Sequence, residues 1–407
     1  MIPKLDEYKK RERITSDDEI KPGLAAIEHA MHVLGSPQVN LRAIHVAGTN
    51  GKGSTICFME SILREAGIST GVFASPAMVD IHDQIRIDGQ NISEAQLTTS
   101  FQTLKDAGLD GKLTDFELLT AAAYVTFNRL KPNVVLIECG MGGRFDSTNV
   151  ITPVATVISS IAKDHVGFLG DSIEQIAWHK TGIFKKGVPA VCGQLLEEAE
   201  KVAEKVAAEV GSEILIYGQD FRMKEGTPEQ FQGSLQLALP NRKMKGPHQA
   251  INAAVAIEAL LKAGLHLPAE AIQTGIANAQ LSYRFEEVAP GVFFDGAHNP
   301  AAAVMLRRTI QEQFPGEKVD FVIGMMANKE INATLNELIP VAQSFTFLDF
   351  EVPGAASAQS LYEQCEFGNK KVTKEDYASI ILSKDLLRKK IVSGSLYLLN
   401  SLRTHIL

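Results

Sequence analysis

A single tryptophan and four cysteines occur in this chain of 407 residues, and no two cysteines form a CxxC pair. Cys57, Cys139, Cys192 and Cys365 stand singly, so their spacing suggests neither a zinc site nor a disulfide framework and they read as reduced core thiols. No run approaches the roughly 18 apolar residues that a bilayer-spanning helix needs. The amino-terminal stretch "MIPKLDEYKKRERITSDDE" is charged and lacks the apolar centre of a secretory leader, so the cytoplasm is the expected compartment and no membrane partner is expected. Positive charge is not in excess: the formal net charge is -8 at pH 7, which argues against an extended nucleic-acid footprint. A local basic pocket for an anionic ligand stays open. Internal repeats, heptad arrays and low-complexity tracts are absent from the sequence, which sets repeat architectures aside.

What is present is the composition of a folded globular protein, 45% hydrophobic and 22% charged, on a chain longer than one core usually serves. Two domains are expected. Short apolar runs alternate with amphipathic stretches: "AIHVAG" before "STICFMESILREAG", then "TGVFAS", "NVVLIECG", "PVATVISS", "VPAVCG" and "SEILIYG". That rhythm predicts βαβ units around a parallel sheet covered on both faces. Residues 222–245 break it and read as a small antiparallel edge ribbon ahead of the helix "HQAINAAVAIEALLKAG". Beyond "LSYRFEEVAPG" the alternation restarts with "VFFDG", a helix from Pro300, "VDFVIGMM", a helix from Asn332, "SFTFLDF", a helical stretch from Lys374 to Lys390 and a last strand "GSLYLLN". The expected domains are 1–285 and 286–407, the second of doubly wound size.

The segment Gly48, Thr49, Asn50, Gly51, Lys52, Gly53, Ser54 follows a strand and opens a helix. A phosphate cradle needs glycines that let backbone N–H groups converge, a helix N-terminus and a lysine, and all three are here. The segment departs from GxxxxGK[ST]: Val46 stands where the first glycine belongs, and Gly53 takes the hydroxyl position ahead of Ser54. The alternative is a strand-to-helix turn with a solvated lysine.

Glu138 ends the run "VVLIE" before a glycine-rich turn, at the strand end where open parallel sheets bind ligands, and there it could reach a metal near the phosphate loop. It could equally pair with a structural cation. Asp164 and His165 follow another apolar run, and a lone histidine is more often a satisfied core or surface group than a ligand. Lys180 lies in a helix with the tryptophan, where a solvated face is the ordinary reading. Asp295, His298 and Asn299 precede Pro300, which also fits a plain N-cap with proline at the first helical position.

Together these segments resemble the folylpolyglutamate synthase and dihydrofolate synthase family of the Mur ligase superfamily. The resemblance rests on "GTNGKGST", "FASPAMVDIHDQIRIDG", "IECGMGGRFDSTNV", "IAKDHVGFLGDSIEQIAWHKTGIFKKG", "GPHQAINAAVAI" and "DGAHNPAA", six ordered motifs along nearly the whole chain. It implies an α/β protein: a Mur-ligase-like P-loop ATPase domain with a parallel central sheet, followed by a smaller Rossmann-like C-terminal domain. It also implies an ATP-dependent amide ligase that adds L-glutamate to a reduced folate and can also act on dihydropteroate. ATP phosphorylates the carboxylate, and the glutamate amine attacks the acyl phosphate.

By the same resemblance, residues 48–54 hold the triphosphate, and Lys52, Glu138, His165 and Lys180 carry the chemistry. Ser75, Glu138 and His165 would ligate Mg2+. Lys180 would match a carbamylated lysine, a modification that requires a neutral amine and hence a depressed pKa. Asn252, Arg284, Asp295 and His298 would contact the nucleotide, and Phe116, Glu117, Phe145 and Asp146 the folate. A monomer is expected. The chain departs from the family at Ala77, Asp83 and Gln84, where its loop lacks a histidine and an arginine, at Tyr283, where the family has a glycine before Arg284, and at Asn328 to Glu330. A cell-wall precursor ligase of the same superfamily is one alternative, but the phosphate loop begins only at Gly48, leaving little room for a UDP-sugar domain before it. A non-catalytic nucleotide-binding relative is the other.

Overall fold

A computed structural model describes residues 2, 4–17, 23–164, 166–373 and 388–406. The chain divides into two compact units, Met1–Arg242 with Ile251–Ala279, and Lys243–Ala250 with Gln280–Leu407. Residues 243–250 and 280–285 thus group with the second unit.

The first unit runs through α1 (Leu5–Glu12), α2 (Ala25–Val33), β1 (Ala43–Ala47), α3 (Lys52–Glu65), β2 (Thr70–Phe73), β3 (Ile85–Ile87), β4 (Gln90–Asn91), α4 (Glu94–Asp106), α5 (Asp115–Leu130) and β5 (Val134–Glu138). It continues through β6 (Ala155–Ile158), α6 (Val166–Leu169), α7 (Ile173–Thr181), β7 (Ala190–Cys192), α8 (Glu197–Val210) and β8 (Ile214–Ile216). Then come β9 (Arg222–Lys224), β10 (Glu229–Gln232), β11 (Gln236–Leu239), α9 (Pro247–Lys262) and α10 (Ala269–Asn278). Eight strands form one sheet in the order β4-β3-β2-β5-β1-β6-β7-β8. From β2 to β8 the neighbours are parallel, and β3 and β4 add an antiparallel edge.

The strands that β-branched residues dominate are buried on both faces, as a helix-covered parallel sheet requires. Ile137 packs with Phe101, Leu118 and Phe127 of α4 and α5, and Cys139 with Ile176 and Ala177 of α7. Side chains alternate along a strand, so Glu138 between them turns to the other face, where α3 begins. Helices α4, α5 and α7 each open on a reciprocal capping box, Ser93 with Gln96, Thr114 with Glu117 and Ser172 with Gln175. The ribbon expected at 222–245 forms a separate three-stranded antiparallel sheet, pairing with itself and not along the edge of the main sheet. Its own core residue, Phe231, is fully buried, which gives it a face to pack without joining the larger sheet.

The second unit contains β12 (Glu286–Ala289), β13 (Val292–Phe294), α11 (Pro300–Gln313), β14 (Val319–Ile323), α12 (Ile331–Leu338), β15 (Ala342–Phe347), α13 (Ala358–Gln364), β16 (Lys370–Val372), β17 (Lys390–Ser393) and α14 (Leu396–Ile406). Six strands line up as β12-β13-β17-β14-β15-β16, all parallel except β12. Phe321, Phe345 and Phe347 stack through its core with centroids 5.2 and 6.0 Å apart. The last strand expected at "GSLYLLN" is instead the start of α14, and the strand lies just before it at β17. Leu398, Leu399 and Leu402 are buried at helical spacing, so the apolar run is one face of a helix. Of the helical stretch expected from Lys374 to Lys390, residues 374–387 lie outside the described residues, and Lys390 begins β17. Among the described residues no helix is long and apolar enough to cross a membrane.

Candidate active site

The loop from Gly48 to Gly51 joins β1 to α3 at the carboxyl end of the parallel sheet, and the neighbouring end of β6 holds it from the side. The Thr49 N–H donates to the Ser160 carbonyl at 2.8 Å, and the Asn50 N–H to Ser160 Oγ at 3.0 Å. Ser159 Oγ and Ser160 Oγ both donate to the Asn50 carbonyl, at 2.7 and 2.9 Å. These two hydroxyls were not singled out from the sequence; the signal was a Ser-Ser pair ending a strand that neighbours β1. Two glycines are required sterically. A Cβ on Gly48 would lie 2.0 Å from Ser159 Oγ, and one on Gly51, whose φ is +88°, would lie 2.6 Å from Asn252 Oδ1. Asn252, near the start of α9, thus packs against the loop's turn.

Two lysines converge on one backbone oxygen. Lys52 Nζ donates to the Gly48 carbonyl at 3.1 Å, and Lys180 Nζ donates to the same oxygen at 2.9 Å. Lys180 is only 4% exposed, so the ordinary reading of a helix lysine as a solvated group does not hold here. Burial, then the positive charge of Lys52, push its pKa down to about 7. Glu138 is buried at the end of β5, with Oε1 3.9 Å from Lys52 Nζ and Oε2 accepting the Ser75 N–H at 3.4 Å. His165 lies outside the described residues.

The residues present suit a hard divalent cation. A buried carboxylate beside a half-buried serine supplies oxygen donors, as magnesium prefers. Among the described residues no three His, Cys, Asp or Glu side chains cluster to form a complete metal cage.

The expected folate residues separate. Phe116, in the first turn of α5, stacks on Phe73 with centroids 5.8 Å apart and lies under Gly140. Glu117 completes the cap of the same helix, its Oε2 accepting the Thr114 N–H and hydroxyl at 2.9 and 2.8 Å, so only Oε1 is left for a ligand. Phe145 is 52% exposed and leans on Trp178 and His179 of α7. Asp146 points inward, where Oδ2 accepts the Met141 N–H at 2.8 Å and Oδ1 accepts the Thr148 N–H and hydroxyl at 3.0 and 2.5 Å. Burial pushes its pKa up against those donors. Thr148 in turn meets His45 Nε2 at 2.9 Å, and Cys139 Sγ lies 3.1 Å from the same nitrogen. His45 is wholly buried and held neutral, its pKa near 3. No sequence pattern announced this network, because its members meet only through sheet register and a turn.

The loop that departs from the family is held from within. Asp83 Oδ2 accepts the N–H groups of Met78, Val79 and Asp80 at 3.2, 2.6 and 3.1 Å, while Ala77 and Gln84 are buried. In the second unit, Asp295 Oδ1 accepts the Ala297 N–H and Oδ2 the Phe285 N–H, each at 3.0 Å. Burial raises its pKa, opposed first by the charge of Arg284. His298 Nδ1 lies 2.9 Å from the Gly296 carbonyl, and Asn299 caps α11 by accepting the Ala302 N–H at 2.9 Å, with Pro300 at the first position. The capping reading of Asn299 and Pro300 therefore holds.

Comparison with known proteins gives a consistent result. Residues 46–260 match the Mur ligase middle domain, and residues 280–405 match the dihydrofolate synthetase C-terminal domain. The chain is 36% identical to the dihydrofolate synthase/folylpolyglutamate synthase of Bacillus subtilis, over 94% of this chain and 95% of that one. Among solved structures, E. coli FolC in complex with DHPP and ADP superposes with a TM-score of 0.90 at 32% identity, covering 99% of this chain and 97% of that chain. A bifunctional folylpolyglutamate synthase/dihydrofolate synthase with Mn, AMPPNP and L-glutamate bound gives 0.85 at 33% identity, over 95% of each chain.

Proposed function

The chain belongs to the folylpolyglutamate synthase/dihydrofolate synthase family of Mur ligases, and from that premise we propose how its residues perform an ATP-dependent addition of L-glutamate to a folate. It is a carbon–nitrogen ligase that uses ATP and a divalent cation. The acid is a reduced folate or dihydropteroate, activated as an acyl phosphate before the glutamate amine displaces phosphate. Bound at the site, the cation screens the phosphate charges and polarises the transferring group.

The chain's own residues prepare that transfer. The backbone of 48–54 and the N-terminus of α3 receive the triphosphate, and Lys52 turns from the Gly48 carbonyl to the outer phosphates. Glu138, Ser75 and His165 would hold the cation. Phe116 supplies a flat face for the folate ring system, and Asp146, by gathering the turn 140–148, shapes the wall beside it. In this reading Asn252, Arg284, Asp295 and His298 contact the nucleotide. A cytoplasmic monomer accompanies it.

Lys180 is the residue we assign to carbamylation. Its amine is buried and of depressed pKa, so a large neutral fraction exists near pH 7. The nitrogen lone pair attacks the carbon of carbon dioxide, an N–C bond forms as one C=O π bond opens onto its oxygen, and the proton lost from nitrogen passes to water. The product is a carboxylate on a lysine stem, which removes the repulsion with Lys52 and adds an anionic oxygen donor beside the phosphate loop.

The observation that carries the reading is the convergence of Lys52 and Lys180 on Gly48 above a helix N-terminus. Its test is calorimetric binding of AMPPNP with magnesium to the intact chain and to Lys52→Met. Affinity should fall by at least about tenfold, near 1.4 kcal/mol. Unchanged affinity would overturn the phosphate assignment.

A further inference from the structure

The segment leading into β12 holds two large residues in a backbone conformation that side chains seldom adopt. Tyr283 has φ +63° and Phe285 φ +50°, with Arg284 between them. Both aromatics are buried while Arg284 stays half-buried, so the backbone bends twice to send its neighbours inward and the arginine outward. A left-handed conformation at bulky residues is unfavourable and persists only where surrounding contacts over-determine it.

Residues of the second unit supply such contacts. The Tyr283 N–H donates to Glu286 Oε2 at 2.9 Å, and its carbonyl accepts the Gly296 N–H at 2.9 Å. Its ring stacks on Phe294 at 6.4 Å, and its hydroxyl lies 3.2 Å from Asn400 Oδ1. Glu286 is gripped in turn by a two-pronged pair from Arg403 of α14, at 2.9 and 3.0 Å. Phe285 is fixed by Asp295 and by stacking on Phe293 at 4.9 Å. The guanidinium of Arg284 lies over Gly296, where an added Cβ would come 2.7 Å from Nη1, and Nη1 donates back to the Tyr283 carbonyl at 3.1 Å. Tyr283 and Phe285 are thus each anchored, one on either side of Arg284.

We propose that Tyr283, Glu286 and Arg403 are positioning residues for Arg284: the carboxyl-terminal helix, through the Arg403–Glu286 pair, locks the bent segment so that Arg284 is presented ready for the nucleotide phosphates. The proposal rests on the assignment of Arg284 as a nucleotide contact. The lock replaces conformational search by a preset direction, so loosening it weakens the arginine's contribution and leaves the rest of the site intact.

The experiment is a double-mutant cycle on the full chain, with Arg284→Ala, Arg403→Met and the pair, reading KM for ATP, KM for the folate and the melting temperature. Arg403→Met should raise KM for ATP by on the order of tenfold with KM for the folate unchanged, and should add nothing once Arg284 is already alanine. Arg403→Lys, which keeps the charge but loses the two-pronged geometry, should recover only part of the loss. If Arg403→Met leaves KM for ATP at its original value, or its effect simply multiplies that of Arg284→Ala, the positioning role is wrong while the nucleotide role of Arg284 survives. If Arg284→Ala itself leaves KM for ATP unchanged, the nucleotide assignment falls, and the positioning role with it.

Discussion

Lys52 and Lys180 reach the same oxygen, the carbonyl of Gly48, from two different helices, at 3.1 and 2.9 Å. Two ammonium groups that close oppose each other, and the deeper one yields. Lys180 is the deeper, so it is the one whose pKa falls to about 7. The pair is therefore unequal: Lys52 is partly buried, while Lys180 is a buried, readily neutralised amine.

Replacing Lys180 by alanine should lower kcat by about a hundredfold or more, and a short carboxylic acid added to the assay should restore part of the rate by filling the vacated volume with an anion. Full activity without any acid would reject the carbamate. Carbamylation followed by 13C-bicarbonate NMR should rise between pH 6 and pH 8, because the neutral amine grows through a pKa near 7. The stability linkage has a definite sign. A lysine whose folded pKa is depressed binds fewer protons folded than unfolded, so its contribution becomes more favourable from about pH 7 up to the ordinary lysine range. The melting temperature of Lys180→Met should therefore exceed that of the native chain by less at pH 9.5 than at pH 7.

Gly48→Ala should cost nucleotide binding more than it costs the fold. The new methyl meets Ser159 Oγ at 2.0 Å, and Ser159 is one of the hydroxyls that hold Asn50 in place. We expect destabilisation of about 1–3 kcal/mol by chemical denaturation, and AMPPNP affinity reduced beyond tenfold. Retained affinity would show that the loop's present shape is not the binding shape.

For Glu138→Gln the expected result is a higher magnesium concentration for half-maximal rate, with little change in melting temperature. Glutamine keeps the shape of the side chain and an oxygen that can still accept the Ser75 N–H, which lies 3.4 Å from Oε2, so the change removes charge without opening a cavity. An unchanged magnesium requirement would remove the ligand role.

Asp83→Ala releases three backbone N–H groups at once, those of Met78, Val79 and Asp80. The loop should loosen, raising KM for the folate several-fold at constant KM for ATP, since the phosphate loop is untouched. Equal changes in both constants would place the loop's influence elsewhere.

The parallel order of the first unit was legible because "AIHVA", "VVLIE" and "ATVI" are short, mostly apolar runs of strand length alternating with helical stretches, the pattern of a sheet covered on both faces. The strand-to-helix loop at 48–54 stood out for a similar reason: Gly51, Lys52 and Gly53 are consecutive, directly after a strand. "GSLYLLN" misled because a short apolar run has no period of its own, and the leucines' helical spacing shows only when the run is extended to Leu402. Trp178 and Lys180 lie two positions apart on α7, yet one is exposed and the other buried, which composition alone does not distinguish. Ser159, Ser160 and the His45–Thr148–Asp146 chain depend on which strand lies beside which, and that information arises only when the sheet forms.

The most direct measurement is phosphate and ADP release by the intact chain with magnesium, ATP and L-glutamate, comparing tetrahydrofolate, dihydropteroate and a UDP-muramyl peptide as the acid. Release should require glutamate and at least one of the two pterin acids, and the product should gain one glutamyl residue by mass. Turnover with the UDP-muramyl substrate alone, or none with any acid, would contradict the account.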